Sequence, residues 1–187
     1  MASKPTGKPN GRPTKYEPNG IKKIEVATRS RVLEARLRRW TPGNVKNGGV
    51  EKEFCVKVNQ DLPPVIEKVF GSIVRWTSEF TLKWGRVDFF CKFIDGRYGL
   101  IEVKTNKTKD KYDLNLARGV GQLLAYRTSI CLETGCDPSS VVMCLVGDAE
   151  SPFIMSMIDD SELPILFLVL GDGMVKAYGG GIDGSTD

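Results

Sequence analysis

Three ionisable side chains interrupt a stretch of sequence that otherwise alternates like a buried β-hairpin. Asp88 opens one apolar run, and Glu102 and Lys104 close the next one. The runs are separated by Asp-Gly-Arg at residues 95–97, a typical hairpin turn, so antiparallel pairing would bring the three charged groups to the same end. Two carboxylates ~4 Å apart repel by about 4 kcal/mol at a surface-like effective dielectric. This pair of carboxylates therefore favours a bound cation.

The length of the hairpin loop decides whether these groups share a face of the sheet. A two-residue loop would pair Asp88 with Val103 and would put Asp88 on the opposite face from Glu102. A three-residue loop, residues 95–97, would pair Asp88 with Lys104. All three charged groups would then share a face, because side chains alternate along a strand. We expect the three-residue loop, or a bulge with the same effect.

The chemistry available to such a group is metal-assisted hydrolysis. Carboxylate oxygens are ligands that suit Mg²⁺ or Mn²⁺. A divalent ion could neutralise a phosphodiester and lower the pKa of a bound water, which Lys104 could orient while it stabilises developing charge. The alternative is a structural ion pair at the end of a strand, because Glu-x-Lys alone recurs by chance.

The spacing of these residues resembles that of the PD-(D/E)xK nuclease superfamily. Thirteen residues separate Asp88 from the Glu102-x-Lys104 motif, and a following helix carries Gln122 and Tyr126. The Gln-xxx-Tyr element is similar to that of the RecB-like branch. The residue before the aspartate is valine and not the proline of the namesake motif. The resemblance implies an α/β fold with a restriction-endonuclease-like αβββαβ core and a mixed central sheet, here with a C-terminal β-hairpin added.

The resemblance also implies roles for single residues. Asp88, Glu102 and the backbone carbonyl of Val103 would hold Mg²⁺ or Mn²⁺, and the lysine of the motif would be catalytic. In the family, a glutamate from the first core helix often joins the metal site. Glu53 and Glu67 are the candidates, and the sequence does not choose between them.

A helix is expected from about Asp113 to Thr134, with a polar stripe along one side. The resemblance implies that Gln122 and Tyr126, which lie in that stripe, contact the DNA backbone or order the site, with Gln122 counted among the catalytic residues. Arg118, in the same stripe, is a further candidate for phosphate contact. A polar stripe normally faces solvent. Gly119 and a second glycine two positions later each cost the helix about 1 kcal/mol relative to alanine. They indicate that another backbone or a nucleic-acid strand comes close.

Charge is unevenly distributed along the chain. Residues 1–46 hold 12 Lys/Arg against 3 Asp/Glu, a net charge of +9, and residues 47–187 hold 15 against 20, a net charge of −5. A basic arm on an acidic body favours nucleic acid as the partner of the arm. A solubilising tail is the alternative interpretation.

The sequence divides into three segments. Residues 1–20 are expected to be a disordered basic tail, residues 21–49 a basic helix and linker, and residues 50–187 the nuclease-like domain. Gly11-Arg12-Pro13 resembles the core of an AT-hook, and this opening is also similar to the tails of phage-encoded DNA-binding proteins. Further candidate DNA contacts are Arg12, Arg36, Arg38, Arg39, Lys107 and Lys109.

Composition excludes several classes of protein. The chain has no histidine, so nucleases of the HNH type, Ser-His-Asp hydrolases and His-ligated zinc sites are ruled out. Five cysteines without Cys-x-x-Cys spacing indicate reduced, mostly buried thiols. No apolar run reaches the ~18 residues of a membrane span, and no signal peptide is apparent, so we expect a cytoplasmic or DNA-associated protein.

These observations favour a Mg²⁺-dependent deoxyribonuclease that hydrolyses phosphodiester bonds through metal-activated water. Two alternatives stay open: a non-catalytic DNA-binding protein on a nuclease fold, and a structure-selective resolvase or restriction-type endonuclease. The sequence does not distinguish endonuclease from exonuclease activity, and it leaves RNA as a substrate and a homo-oligomer open.

Overall fold

The computed structural model describes residues 50–106, 111–171 and 174–179. The predicted basic tail and the predicted basic helix with its linker lie outside the described residues. So do six candidate DNA contacts, namely Arg12, Arg36, Arg38, Arg39, Lys107 and Lys109. Within the described part, none of the helices combines the length and the hydrophobicity that a membrane span requires.

The described residues form an α/β structure in which helices flank one mixed sheet. In chain order the elements are α1 (Val50–Phe70), β1 (Ile73–Leu82), β2 (Gly85–Phe93), β3 (Tyr98–Lys104), α2 (Tyr112–Thr134), a 3₁₀ turn (Pro138–Ser140), β4 (Val141–Gly147), α3 (Pro152–Asp160), β5 (Ile165–Leu170) and β6 (Val175–Tyr178). The predicted αβββαβ order and the C-terminal hairpin are confirmed. Helix α3 was not predicted.

The sheet has its six strands in sequence order, β1 to β6. Strands β1, β2 and β3 are antiparallel neighbours, β3, β4 and β5 are parallel, and β6 returns antiparallel to β5. The carboxyl ends of β3, β4 and β5 therefore lie at one edge of the sheet, together with the first residues of β2. We call this the site edge.

Apolar side chains pack against both faces of the sheet. Helix α1 buries Val58, Leu62 and Ile66 against one face. Helices α2 and α3 cover the other face, with Leu116 and Leu123 among the residues that are fully buried there. A sheet covered on both faces is built from nearly continuous apolar strands, and every residue of β5 is indeed buried. A charged side chain inside such a sheet requires a specific explanation.

Candidate active site

The β2–β3 hairpin has a three-residue loop, but the loop lies one residue earlier than predicted. Phe93 N–H donates to the Arg97 carbonyl at 2.9 Å, which leaves residues 94–96 as the loop. The ladder continues from Lys92–Tyr98 to Phe89–Ile101, and one step further along this register Asp88 falls opposite Glu102. The predicted pairing of Asp88 with Lys104 is therefore wrong. The error is two positions, which by alternation would still leave Asp88 and Glu102 on one face. The ladder ends at Phe89–Ile101, however, and Val87 packs with Phe90 and not with Phe89, so the regular alternation is broken at Asp88.

The shift follows from the chemistry of the turn. The Asp95 carboxylate accepts hydrogen bonds from the backbone N–H of Arg97 at 3.0 Å and from its Nε at 2.7 Å. Gly96 adopts φ +91°, which suits glycine, and its N–H donates to the Phe93 carbonyl at 3.1 Å. The Asp95 side chain thereby holds Arg97 opposite Phe93, directly before β3, instead of as the last residue of the loop.

At the site edge, the Asp88 side chain links strands β2 and β3. Its Oδ2 accepts a hydrogen bond from the Val103 backbone N–H at 2.8 Å, beyond the last ladder pair, Phe89–Ile101. An acidic side chain here occupies a position that a strand carbonyl would normally fill. Asp88 thus lies at the site edge, directly beside β3. Val103 contributes its N–H to this contact, and its carbonyl as a metal ligand stays a prediction.

Glu102 is buried next to Asp88 and forms an ion pair with Lys104, whose side chain is half-buried. Only 2% of the Glu102 surface is exposed, and Lys104 Nζ donates to its Oε1 at 2.5 Å. Its second oxygen, Oε2, is buried and accepts no hydrogen bond within the described part of the chain. Burial, and then the neighbouring Asp88 carboxylate, raise the pKa of Glu102 to about 7, against the opposing effect of the Lys104 ammonium. The three predicted residues are thus brought together around an incompletely satisfied carboxylate.

Gly119 allows helix α2 to approach this pair closely. A Cβ at this position would lie 2.7 Å from Leu145 Cδ1 and 3.3 Å from Lys104 Cε. The close approach expected from the helix glycines is therefore present at Gly119, where the partners are side chains of β3 and β4. The other helix glycine, Gly121, has no neighbour within 4 Å of a built Cβ in the described structure. Gly119 confines the Lys104 stem, so that the ammonium points at Glu102.

The Gln-xxx-Tyr pair orders the site edge. Tyr126 is 4% exposed, and its hydroxyl donates to the Arg86 carbonyl at 2.9 Å, two residues before Asp88. Gln122 Nε2 donates to the same hydroxyl oxygen at 3.3 Å. Burial, and then the Glu102 charge, raise the pKa of Tyr126. Tyr126 is buried with its hydroxyl directed at the Arg86 carbonyl, and its role, in contact with DNA or in ordering the site, stays a prediction.

Two other predicted residues on the helices differ in their positions. Arg118 is exposed on α2, one residue before Gly119, and stays a candidate for phosphate contact. Glu67 accepts a hydrogen bond from the Ile73 backbone N–H at 2.8 Å. Ile73 pairs with Phe93 at the turn end of the hairpin, five residues from Asp88, or about 17 Å along the strand. Glu67 is therefore excluded from the site.

Glu53 lies at the other end of α1. One turn later in the helix, Lys57 Nζ donates to the Gly171 carbonyl at 2.7 Å, immediately after the carboxyl end of β5. The first turns of α1 are thus at the site edge, although on the opposite face of the sheet from α2, and Glu53 is exposed. Of the two glutamates, Glu53 alone remains a candidate.

A polar cluster that the sequence did not reveal holds the chain directly after Lys104. Both carboxylate oxygens of Asp148, which follows β4, accept from the Asn106 backbone N–H at 2.8 and 2.9 Å. The Tyr112 hydroxyl donates to the Ala149 carbonyl at 2.7 Å, and burial raises its pKa to about 12. An aspartate directly after a buried strand was the available signal.

The donor set fits a divalent cation of the Mg²⁺ type. Across residues 50–106, 111–171 and 174–179, no three or more His, Cys, Asp or Glu side chains gather at one point. Mg²⁺ is commonly held by one or two carboxylates, with water and substrate phosphates completing its shell. Two adjacent carboxylates, one with a buried and unpartnered oxygen, match that requirement. A closed, all-protein metal cage is not what these residues form.

Comparison with known proteins adds three structures that are similar in part. The match to a repair endonuclease from Pyrococcus abyssi covers 68% of this chain and 50% of the endonuclease chain, with 16% identity and a TM-score of 0.44. An EndoMS–double-stranded DNA complex covers 67% and 48%, with 18% identity and a TM-score of 0.43. Pyrococcus furiosus SfsA in complex with Ca²⁺ covers 68% and 63%, with 13% identity and a TM-score of 0.39.

The chain spans about half the length of the first two of these structures. No family model and no curated protein matches the sequence. The geometry of Asp88, Glu102 and Lys104, and not these likenesses, is the basis for proposing a function.

Proposed function

We propose that this protein is a DNA nuclease that requires Mg²⁺ or Mn²⁺ and hydrolyses phosphodiester bonds at the site edge. The observation that carries the proposal is the Glu102 carboxylate. It is buried, lies beside a second carboxylate, is paired with Lys104 through one oxygen, and keeps the other oxygen without a partner. Asp88, Glu102 and the Val103 carbonyl would hold the ion.

A purely structural ion pair explains this arrangement poorly. The desolvation of two buried charges often cancels their attraction, unless hydrogen bonds satisfy the remaining lone pairs. Here a lone-pair-bearing oxygen of Glu102 is left unsatisfied, and the nearby Asp88 charge adds repulsion. An incoming cation would relieve both costs. A site that is completed by its ligand accounts for features that a stabilising pair does not.

Each side chain has a distinct task in this mechanism. A bound divalent ion would neutralise the phosphodiester and lower the pKa of the attacking water. The Lys104 ammonium lies against Glu102 Oε1, where it can donate to the attacking water or to a phosphate oxygen as negative charge develops. Tyr126 holds the Arg86 backbone and so fixes the start of β2, which carries Asp88. Gln122 orients the tyrosine hydroxyl from the same helix.

The test is metal-dependent cleavage of supercoiled plasmid, linear duplex, single-stranded DNA and RNA by the full chain. We expect cleavage with Mg²⁺ or Mn²⁺, none in EDTA, and none by Lys104→Ala. Arg97→Ala is the matched control, because Arg97 also pairs with a carboxylate, at the opposite end of the hairpin. Cutting of the circular plasmid would indicate an endonuclease, and cutting of ends alone an exonuclease.

The outcomes separate this proposal from its main alternative. If wild type and Lys104→Ala both bind DNA and neither cuts any substrate with Mg²⁺ or Mn²⁺, the protein is a non-catalytic DNA-binding protein on this fold. If Lys104→Ala cuts as fast as wild type, the assignment of the site is wrong even though the activity is real. Circular dichroism of the variant checks that it is folded.

A further inference from the structure

The turn between β1 and β2 presents an exposed tryptophan at the site edge. Leu82 pairs with Gly85, so Lys83 and Trp84 form the two-residue tip of this hairpin. The Trp84 side chain is 52% exposed, and Lys83 Nζ lies 5.1 Å from its ring centroid. Large aromatic side chains usually contribute to cores or interfaces. The site described above does not use this one.

Helix α2 holds both sides of this hairpin tip. On one side, the Lys83 backbone N–H donates to Glu133 Oε1 at 2.9 Å, and Ser129 Oγ donates to the same oxygen at 2.9 Å. On the other side, Tyr126 donates to the Arg86 carbonyl. A Cβ on Gly85 would lie 2.7 Å from Tyr126 Cε1, so the turn packs directly on the helix. Trp84 is therefore displayed from a fixed backbone.

The tip is close to the proposed site of hydrolysis. Trp84 lies in the turn four residues before Asp88 of β2, which is at most about 13 Å at ~3.3 Å per residue. Stacked nucleotides rise ~3.4 Å each, so a strand with its phosphodiester at Asp88 passes Trp84 within about four nucleotides. The same Tyr126 that orders the site also fixes the turn.

The charges around the ring suit a polyanion. Lys83 and Arg86 flank the tryptophan, and the Arg86 side chain is 62% exposed. Its nearest acidic partner is Glu79 at 3.7 Å, a loose and exposed pair that a phosphate could replace. Glu133 is turned inward, onto Lys83 N–H and Ser129. An exposed aromatic ring with basic side chains nearby in the chain is a feature of proteins that stack on bases of single-stranded nucleic acid.

We propose that Trp84 stacks on an unpaired nucleobase and that the substrate carries a single-stranded segment within about four nucleotides of the cleaved bond. This inference rests on the proposed nuclease function and narrows its substrate class. Base stacking on an aromatic side chain contributes roughly 1–3 kcal/mol, and it tolerates any sequence because every base has a π-face. Duplex DNA without unpaired bases would gain nothing from Trp84.

The test compares the affinities of the full chain for a labelled 20-nucleotide single strand and for a blunt duplex of the same sequence. Fluorescence anisotropy in EDTA keeps both substrates intact. We expect Trp84→Ala to weaken single-strand binding by roughly ten- to a hundredfold and to leave duplex binding within about threefold. Trp84→Phe should stay within about threefold of wild type on both. Ile94→Ala is the control, because Ile94 is 74% exposed at the opposite end of the β2–β3 hairpin.

Intrinsic fluorescence supplies a second readout. The chain has three tryptophans, at positions 40, 76 and 84, and stacking on a base should quench the third. Saturation with the single strand should lower the emission of wild type by a fraction that Trp84→Phe does not show. Equal single-strand affinities of wild type and Trp84→Ala, or equal losses on both substrates, would overturn the inference. Failure of wild type to bind either substrate would instead remove the proposed function.

Discussion

The β2–β3 hairpin carries an acid–base pair at each end, and the two pairs differ in burial. At the turn end, Arg97 Nε lies 2.7 Å from Asp95 Oδ2, with both side chains more than a third exposed. At the site edge, Lys104 Nζ lies 2.5 Å from Glu102 Oε1, with the glutamate side chain 3% exposed. The lengths of the two contacts are similar, so the surroundings and not the contacts set the difference in chemistry.

The surroundings move the two carboxylates in opposite directions. The pKa of Asp95 is lowered, first by the Arg97 backbone N–H and then by its guanidinium. The pKa of Glu102 is raised to about 7, first by burial and then by the Asp88 charge. In the turn pair, both oxygens of Asp95 accept hydrogen bonds from Arg97, and these contacts set the shape of the loop. At the site edge, Glu102 has one buried oxygen without a hydrogen-bond partner and lies beside the Asp88 carboxylate. A bound cation would stabilise both carboxylates, which makes this pair the candidate for metal binding.

The largest expected effect is on cleavage. Glu102→Gln keeps the shape of the side chain but removes the charge that would hold the ion, so the rate should fall at least a thousandfold, about 4 kcal/mol in activation free energy. Asp95→Asn changes the same functional group at the turn end and should cleave plasmid within about twofold of wild type. Equal losses in the two variants would show that the hairpin as a whole, and not its site edge, supports activity.

The second expected effect is on folding stability and its dependence on pH. Lys104→Met leaves Glu102 buried without its cation, which should lower the free energy of unfolding by about 3 kcal/mol at pH 8. Because the folded-state pKa of Glu102 is about 7 against 4.5 when unfolded, the folded protein binds more protons between these values, and its stability falls as pH rises through them. Loss of Lys104 enlarges this fall.

The matched variant for this experiment is Arg97→Met. The pKa of Asp95 is lowered from 3.8, so its contribution to stability is present above that value and is lost only in more acidic solution. Urea denaturation at pH 5.5 and 8 should therefore show a cost for Lys104→Met that grows with pH and a cost for Arg97→Met that does not. A pH-independent cost at Lys104 would mean that Glu102 is not the group responsible.

The fold and the grouping of charges were predictable because both depend on local alternation. Strand parity predicted the grouping of Asp88, Glu102 and Lys104. The register was wrong by two positions and the alternation breaks at Asp88, and the hydrogen bond from the Val103 N–H holds Asp88 beside β3. The register depended on whether Asp95 captures Arg97, a contact that residue types do not determine. The Asp88–Val103 contact is why an error in the loop did not separate the three charged groups.

Other features required tertiary contacts that no local pattern contains. The polar stripe of α2 suggested solvent or DNA around Tyr126, but the β1–β2 hairpin covers this side of the helix and buries the ring. Helix α3 was missed because it has only nine residues, despite its Ser151 cap and the proline that follows. The position of Asp148 directly after a buried strand was a signal, but its partner could not be predicted, because Asn106 is 42 residues earlier in the chain.

The third expected effect is stabilisation by divalent ions. If Asp88 and Glu102 hold Mn²⁺ or Mg²⁺, then an ion at a hundred times its dissociation constant should stabilise wild type by about 2.7 kcal/mol, or roughly 5–10 °C in melting temperature. The shift should be larger at pH 8 than at pH 6, because Glu102 must be ionised to bind the ion. Glu102→Gln should lose the shift and Asp95→Asn should keep it, as measured by thermal denaturation. A shift that survives in Glu102→Gln would place the ion elsewhere.

The smallest expected effect separates residues that order the site edge from residues that bind DNA there. Tyr126→Phe removes the donor to the Arg86 carbonyl and should lower the free energy of unfolding by about 1 kcal/mol, with DNA affinity unchanged. Arg118→Ala, eight residues earlier on the exposed side of α2, should leave stability unchanged but weaken DNA binding and reduce its salt slope by about 1. Urea denaturation and salt-dependent anisotropy measure the two quantities. If the variants exchange these behaviours, then the tyrosine contacts DNA after all, and the start of β2 is held in place by contacts other than that of Tyr126 with the Arg86 carbonyl.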